Sequence, residues 1–269
     1  MDEFIVKLSD IFEQKEWDDR SGNRSLGKLI SLGNYLDNEE REMLLTLMKN
    51  FTIINYAEYE NYLIQAISFI EDDLIKKINH YYIMPLISPA DRTKTRSSSL
   101  VAYLFKNQDL IEDSKLKGKK IFISNLESLP KKLNNSQSKL LILVDDFIGT
   151  GETAIECIDE LVKNGINQSK IVIISISAMR YGIDKILQKG VSLYTSKILD
   201  KGISKLKNLE MRDNYLKLMT MIEKRYGIPE ELHFGYGKSE GLIKLIRPPN
   251  NTFPIFWHEK IPEIAFPRL

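Results

Sequence analysis

The chain has 269 residues, of which 43% are hydrophobic and 28% are charged, and its formal net charge is +1. This composition is typical of a globular protein, and the near-zero charge excludes a global field that recruits nucleic acid or anionic membranes. No apolar run approaches the roughly 20 residues that a membrane span needs. With a single cysteine, Cys157, and no signal peptide, the sequence predicts a soluble, cytoplasmic protein.

The first segment, residues 1–79, has helical periodicity. Its longest apolar stripe begins at Tyr59 and continues at a spacing of three and four residues through Leu63, Ala66 and Ile70. We expect a helical N-terminal region that packs on the rest of the chain. The alternative is that its apolar faces form a docking surface for a partner.

The second segment, residues 80–200, alternates between strand and helix patterns. The predicted strands are 81–87, 119–124, 139–146, 170–177 and 191–199, and the predicted helices include 97–110 and 152–165. This alternation predicts an α/β core with a mostly parallel sheet and helices on both faces. In such sheets, ligands bind beyond the carboxyl ends of the strands.

Two adjacent acids, Asp145 and Asp146, end the predicted strand at residues 139–146. The residues that follow them at the predicted helix start are Gly149, Thr150, Gly151, Glu152 and Thr153. Glycines allow a ligand to approach the backbone, and the N–H groups of a helix N-terminus bind phosphate. Carboxylates can accept hydrogen bonds from neighbouring ribose hydroxyls or attract a divalent cation. This pattern indicates a sugar-phosphate site, although an acid pair that only caps the helix is an alternative.

The stretch VDDFIGTGET, residues 144–153, resembles the phosphoribosyl-pyrophosphate (PRPP) binding loop of type I phosphoribosyltransferases. The resemblance implies that Asp145 and Asp146 are catalytic and that residues 145–153 bind the ribose phosphate. It also implies Mg²⁺ as cofactor, held by the two aspartates through water. Phe147 and Gly149 depart from the usual pattern of the family.

The same resemblance assigns the pyrophosphate to the segment after the first core strand, residues 88–99. The residues implied are Ser88, Arg92, Lys94 and Arg96. Cations beside a helix N-terminus suit a pyrophosphate, and a solvated loop is the alternative. We expect this segment to face residues 150–153 across one cleft.

The third segment, residues 201–269, is expected to be a helix and strand extension packed on the core. Its tail resembles that of phosphoribosyltransferase-like proteins of bacterial conflict and antiphage cassettes, including retron-associated ones. That resemblance implies a partner protein or nucleic acid of a defence cassette. Phe253, Phe256 and Trp257 are candidates for stacking on a nucleobase, and the alternative is that they seal the edge of the sheet.

Two classes of function follow from these features. The first is an enzyme that transfers phosphoribose from PRPP to an unknown acceptor, with an antiphage effector role implied by the tail. The second is a non-catalytic module that senses PRPP or a nucleotide. The sequence leaves open the acceptor, the oligomeric state and the identity of any partner.

Overall fold

The computed structural model describes residues 2–17, 20–91, 96–129 and 133–268. The helices are α1 (Glu3–Gln14), α2 (Arg20–Gly33), α3 (Asn38–Asn50), α4 (Tyr59–Ser68), α5 (Asp72–Lys77), α6 (Ser97–Leu104), α7 (Gln108–Glu112), α8 (Glu152–Lys163), α9 (Arg180–Gln188) and α10 (Leu209–Arg225). The strands are β1 (Thr52–Ile53), β2 (His80–Pro85), β3 (Lys120–Ile123), β4 (Lys139–Ile148), β5 (Ile171–Met179), β6 (Ser192–Leu199) and β7 (Ile243–Lys244). Within these ranges, none of the helices combines the length and apolar character that crossing a membrane requires.

The chain forms two compact units. One unit joins Met1–Ile54 with Asp200–Leu269, and the other is Asn55–Leu199. These bounds differ from the three sequence segments in that α4 and α5 are part of the α/β unit. The reason is that the apolar stripe of α4 packs against β5 and β6.

The α/β unit contains a five-stranded sheet in the order β3-β2-β4-β5-β6. All four pairings between these strands are parallel. Parallel strands need crossover connections, and helices supply three of them here: α6 and α7 between β2 and β3, α8 between β4 and β5, and α9 between β5 and β6. The prediction of a parallel sheet with flanking helices is confirmed.

Helices cover both faces of this sheet. On one face, Leu141 and Leu143 of β4 share an apolar cluster with Cys157 and Ile158 of α8. On the other, α4 contacts β5 and β6, while α6 contacts β2 and β4. Because side chains alternate along a strand, neighbouring residues of β4 point toward different helices.

Several predicted boundaries in this unit were wrong. Strand β4 continues two residues past Asp146, because Phe147 and Ile148 pair with Ser177 and Ala178 of β5. The predicted helix at residues 97–110 is two helices, α6 and α7. The side chain of Asn107 accepts a hydrogen bond from the N–H of Asp109 and begins the second helix.

The other unit is built around an aromatic and aliphatic core. α1, α2, α3 and α10 contribute to it together with the end of the chain. Phe51 stacks on Phe266 with ring centroids 5.0 Å apart. The strand expected in the third segment is the short β7, whose two residues pair in parallel with β1.

One charged side chain is fully buried in this second unit. Glu223 of α10 is 0% exposed. Its Oε1 accepts a hydrogen bond from the N–H of Phe234 at 2.7 Å, and its Oε2 has no hydrogen-bond partner within the described chain. Burial raises the pKa of Glu223 from 4.5 to about 7.

This pKa predicts a pH-dependent stability. The folded chain binds the Glu223 proton more tightly than the unfolded chain, so the free energy of unfolding should fall as pH rises from about 4.5 to about 7. Glu223→Gln keeps an acceptor for Phe234 and removes the charge. We expect urea unfolding at pH 8 to show the variant more stable by about 3 kcal/mol.

At pH 5 the stability difference between Glu223→Gln and the wild type should shrink to about 1 kcal/mol, since this pH lies close to the unfolded-state pKa of 4.5. Glu210→Gln, an exposed position on the same helix, is the matched control and should show no such pH dependence. Equal stabilities of the Glu223 variant and the wild type at both pH values would contradict the burial of a neutral carboxyl.

Candidate active site

The two acids of β4 lie in the last four residues of the strand, at its carboxyl end. Asp145 pairs with Ser175 of β5 in the parallel ladder. Alternation places Asp145 on the α8 side of the sheet, with Leu141 and Leu143, and Asp146 on the opposite side. The adjacent carboxylates therefore have different surroundings.

Asp146 is 7% exposed and is held by two hydroxyl groups. Tyr59, the first residue of α4, donates from its hydroxyl to Asp146 Oδ2 at 3.2 Å. Ser97, the first residue of α6, donates from Oγ to Asp146 Oδ1 at 2.7 Å. Each carboxylate oxygen thus has a partner from a different helix.

Asp145 is half-buried, and its carboxylate is closely surrounded by protein. Its Oδ1 accepts a hydrogen bond from the backbone N–H of Asp146 at 2.9 Å. Burial, and next the charge of Asp146, hold the pKa of Asp145 well above its ordinary value. A bound cation or a hydroxyl donor at this position would relieve both effects.

A cation beside these two acids would need further ligands from outside the chain. Within the described ranges, no group of three or more His, Cys, Asp or Glu side chains is placed to hold a metal ion. Mg²⁺ is commonly bound by one or two carboxylates together with water and substrate phosphates. The donor set at Asp145 and Asp146 fits an ion of that kind.

The loop after β4 presents backbone to the start of α8. Gly151 precedes the helix with φ at 80°, a left-handed conformation that favours glycine. Thr150 is buried, and its Oγ1 accepts a long hydrogen bond of 3.4 Å from the N–H of Glu152. Because the first N–H groups of a helix lack partners within it, this turn is suited to binding an anion.

Helix α9 packs directly on this loop through a glycine. A Cβ added at Gly182 would lie 2.3 Å from the carbonyl oxygen of Gly149 and 3.2 Å from the nitrogen of Gly151. A Cβ at Gly151 would in turn lie 3.0 Å from the carbonyl oxygen of Gly182. Only glycine permits this approach, so Gly182 helps to fix the shape of the loop.

The segment predicted to hold pyrophosphate is described only in part. Ser88 is buried and donates to Asp91 at 3.5 Å, and Arg96 forms an ion pair with Asp91. Arg92 and Lys94 lie outside the described residues. The short turn Pro89–Asp91 contacts α8, and Ser97 contacts Asp146, so both described ends of the segment lie beside the candidate phosphate loop.

The three aromatic residues proposed for base stacking lie in the core of the other unit. Phe253 and Phe256 are fully buried, and Trp257 is nearly so. The ring of Phe256 is 4.9 Å from that of Phe51, and Trp257 Nε1 donates to the carbonyl oxygen of Thr252 at 2.8 Å. A base cannot stack on these rings unless the core opens, and burial in a core accounts for their presence.

Three residues of the candidate site did not emerge from sequence reasoning. Tyr59 was assigned to an apolar stripe, and its hydroxyl gave no sign of a partner 87 residues away. Ser97 is the first residue of the predicted helix at 97–110 and was given no role at the site, and Gly182 was not singled out. A hydroxyl within an apolar stripe marks Tyr59 as unusual, but it does not identify Asp146 as the partner.

Comparison with known proteins places this chain in a family. The family model described as PRTase-CE matches residues 32–268, so the chain belongs to the PRTase-CE family. A relative of known type is the uracil phosphoribosyltransferase of Methanothermobacter thermautotrophicus, which is 33% identical over 57 residues. That match covers 21% of this chain and only 26% of the relative's length. The type I phosphoribosyltransferase family expected from the loop is confirmed.

Several solved structures are also similar to this chain. Orotate phosphoribosyltransferase from Aeropyrum pernix has a TM-score of 0.33 and 14% identity, covering 53% of this chain and 70% of that one. A hypothetical protein from Neisseria gonorrhoeae with bound ppGpp has a TM-score of 0.36 and 10% identity, covering 62% and 97%. Purine phosphoribosyltransferase from Pyrococcus horikoshii has a TM-score of 0.30 and 14% identity, covering 56% and 89%.

Proposed function

We propose that this chain binds PRPP, or a nucleotide 5′-phosphate, at residues 145–153 and transfers phosphoribose to an acceptor. The observation that carries the proposal is the placement of the Asp145 carboxylate next to the glycine loop that opens α8. The amides at the start of α8 suit the 5′-phosphate, and Asp145 suits a ribose hydroxyl. The family membership is consistent with this assignment.

The proposed chemistry is a displacement at the anomeric carbon of the ribose. The bond from that carbon to the pyrophosphate oxygen breaks with its electron pair, and a bond to the acceptor forms. Positive charge develops on the ribose in the transition state, where the nearby carboxylates stabilise it. Mg²⁺, when bound with PRPP, would neutralise charge on the leaving pyrophosphate, with Asp145 and Asp146 holding it through water.

Arg96 is the described cation on the predicted pyrophosphate side. Arg96 lies near the end of the segment that follows β2 and forms an ion pair with Asp91. We assign Ser88, Arg92, Lys94 and Arg96 to pyrophosphate on the strength of the family resemblance. The antiphage and retron association stays an expectation of the tail resemblance alone.

The experiment that tests the function measures pyrophosphate release from PRPP and Mg²⁺ with a panel of purine and pyrimidine bases. An enzyme should release pyrophosphate with at least one acceptor, and Thr150→Val should slow that release because it removes a hydroxyl at the phosphate loop. Saturable PRPP binding without release for any acceptor would instead favour the sensing module. Absence of binding to both PRPP and nucleoside 5′-monophosphates would refute both.

The panel contains one expected negative result. Enzymes that salvage 6-oxopurines resemble this loop but carry an Asp where this chain has Gly149, and general acid or base help of that kind is worth about 10²–10⁴-fold in rate. We expect hypoxanthine and guanine to give no pyrophosphate release above the rate without acceptor. Rapid turnover of either base would show that another group supplies the proton transfer.

A further inference from the structure

The two aspartates of β4 are connected to each other and to two helices by a chain of hydrogen bonds. The backbone N–H of Asp146 donates to Asp145 Oδ1, and the Asp146 carboxylate accepts from Tyr59 and Ser97. Tyr59 is completely buried and Asp146 nearly so. The contact between Tyr59 and Asp146 is therefore shielded from water, which makes a hydrogen bond to a carboxylate stronger, whereas the contact from the half-buried Ser97 is shielded only in part.

The two carboxylates have separate tasks in this arrangement. Both Asp146 oxygens already accept hydroxyl hydrogen bonds on the α4 and α6 side of the sheet. Asp145 points to the α8 side and is half-buried, and its Oδ1 accepts a hydrogen bond from the backbone N–H of Asp146. Asp145 is therefore better placed to contact a ligand, and Asp146 is better placed to anchor the strand.

We propose that Tyr59 and Ser97 are positioning residues that act through Asp146 to orient the carboxylate of Asp145 toward the ribose. This inference rests on the proposed function. Hydrogen bonds from two helices hold the side chain of Asp146 in place, and so they also hold its backbone N–H. That N–H in turn holds the Asp145 oxygen to which it donates. The phosphate loop at residues 149–151 is shaped separately, by contact with Gly182.

Different groups of the protein are assigned to the ribose and to the phosphate, so ligands with and without a ribose can be compared. Dissociation constants are measured for PRPP and ribose 5-phosphate with Mg²⁺, and for inorganic phosphate by competition. Ser97→Ala and Tyr59→Phe should each weaken PRPP and ribose 5-phosphate by about 5- to 10-fold, the effect of one hydrogen bond. Binding of inorganic phosphate should change by less than about 2-fold, because the backbone N–H groups that donate to phosphate do not depend on Asp145.

Two further variants separate positioning from general damage. Ser97→Thr retains a hydroxyl and should restore ribose 5-phosphate binding, while Ser68→Ala removes an exposed hydroxyl at the last residue of α4 and should have no effect. In the double variant with Asp146→Asn, Ser97→Ala should weaken ligand binding by less than it does alone, since both substitutions act through one contact. Melting temperatures establish that each variant is folded.

The outcomes distinguish this inference from the function on which it rests. If the wild-type chain binds neither PRPP nor ribose 5-phosphate, the proposed function fails and the inference fails with it. If the wild type binds both ligands, the inference alone fails in two cases. In one, Ser97→Ala and Tyr59→Phe leave ribose 5-phosphate binding unchanged; in the other, they weaken inorganic phosphate equally.

Discussion

Gly182→Ala is expected to abolish measurable PRPP binding and to destabilise the α/β unit by about 1–3 kcal/mol, the usual cost of overpacking. The new Cβ would meet the carbonyl oxygen of Gly149 at 2.3 Å. The neighbours on that side are backbone atoms of residues 149–151 and not the ends of flexible side chains. The loop must move away from α9, and its amides then leave the positions suited to phosphate.

Gly27→Ala is the matched control for this substitution. Gly27 also lies inside a helix, α2, but a Cβ there would have nothing within 4 Å. Alanine is a better helix former than glycine by roughly 1 kcal/mol, so this variant should be as stable as the wild type or more so. Urea unfolding and PRPP titration measure both quantities. Wild-type affinity in Gly182→Ala would show that the loop conformation is unimportant for the ligand.

Asp145→Asn is expected to weaken PRPP binding by about 10- to 150-fold, the equivalent of one hydrogen bond to a charged group. The substitution preserves shape and the acceptor for the N–H of Asp146, and removes the charge. Since burial and the neighbouring Asp146 raise the pKa of Asp145, its charge is unfavourable in the empty site. The melting temperature should therefore stay the same or rise.

The neighbouring position gives the contrasting result. Asp146→Asn replaces an oxygen that accepts from Tyr59 or Ser97 with a nitrogen that cannot, so we expect a lower melting temperature as well as weaker binding. Asp184→Asn, at an exposed position of α9, is the control for loss of one charge. If titration calorimetry gives Asp145→Asn the same dissociation constant for PRPP as the wild type, this carboxylate makes no contact with PRPP.

Sequence reasoning reached the parts of this fold that local patterns determine. Buried parallel strands are continuous aliphatic runs, as at Leu140–Val144, and a strand followed by glycines and an amphipathic helix indicates a ligand loop. Register with a neighbouring strand decided where β4 ends. That register depends on residues 171–179 and cannot be read from β4 alone.

The remaining features of the site depend on contacts between distant residues. Nothing near Tyr59 indicates that its hydroxyl reaches Asp146, and nothing near Gly182 indicates that it touches Gly149. The exposed or buried state of Phe256 was equally ambiguous, because an aromatic side chain suits a core as well as a base. Packing partners, which come from tertiary structure, resolved each of these cases.

The central claim, that residues 145–153 bind a phosphoribosyl ligand, is tested most directly by a crystal structure of the chain with PRPP and Mg²⁺. We predict the 5′-phosphate at hydrogen-bond distance from backbone N–H groups of residues 150–153, with a ribose hydroxyl donating to Asp145. PRPP bound elsewhere, with this loop empty at saturating ligand, would contradict the claim.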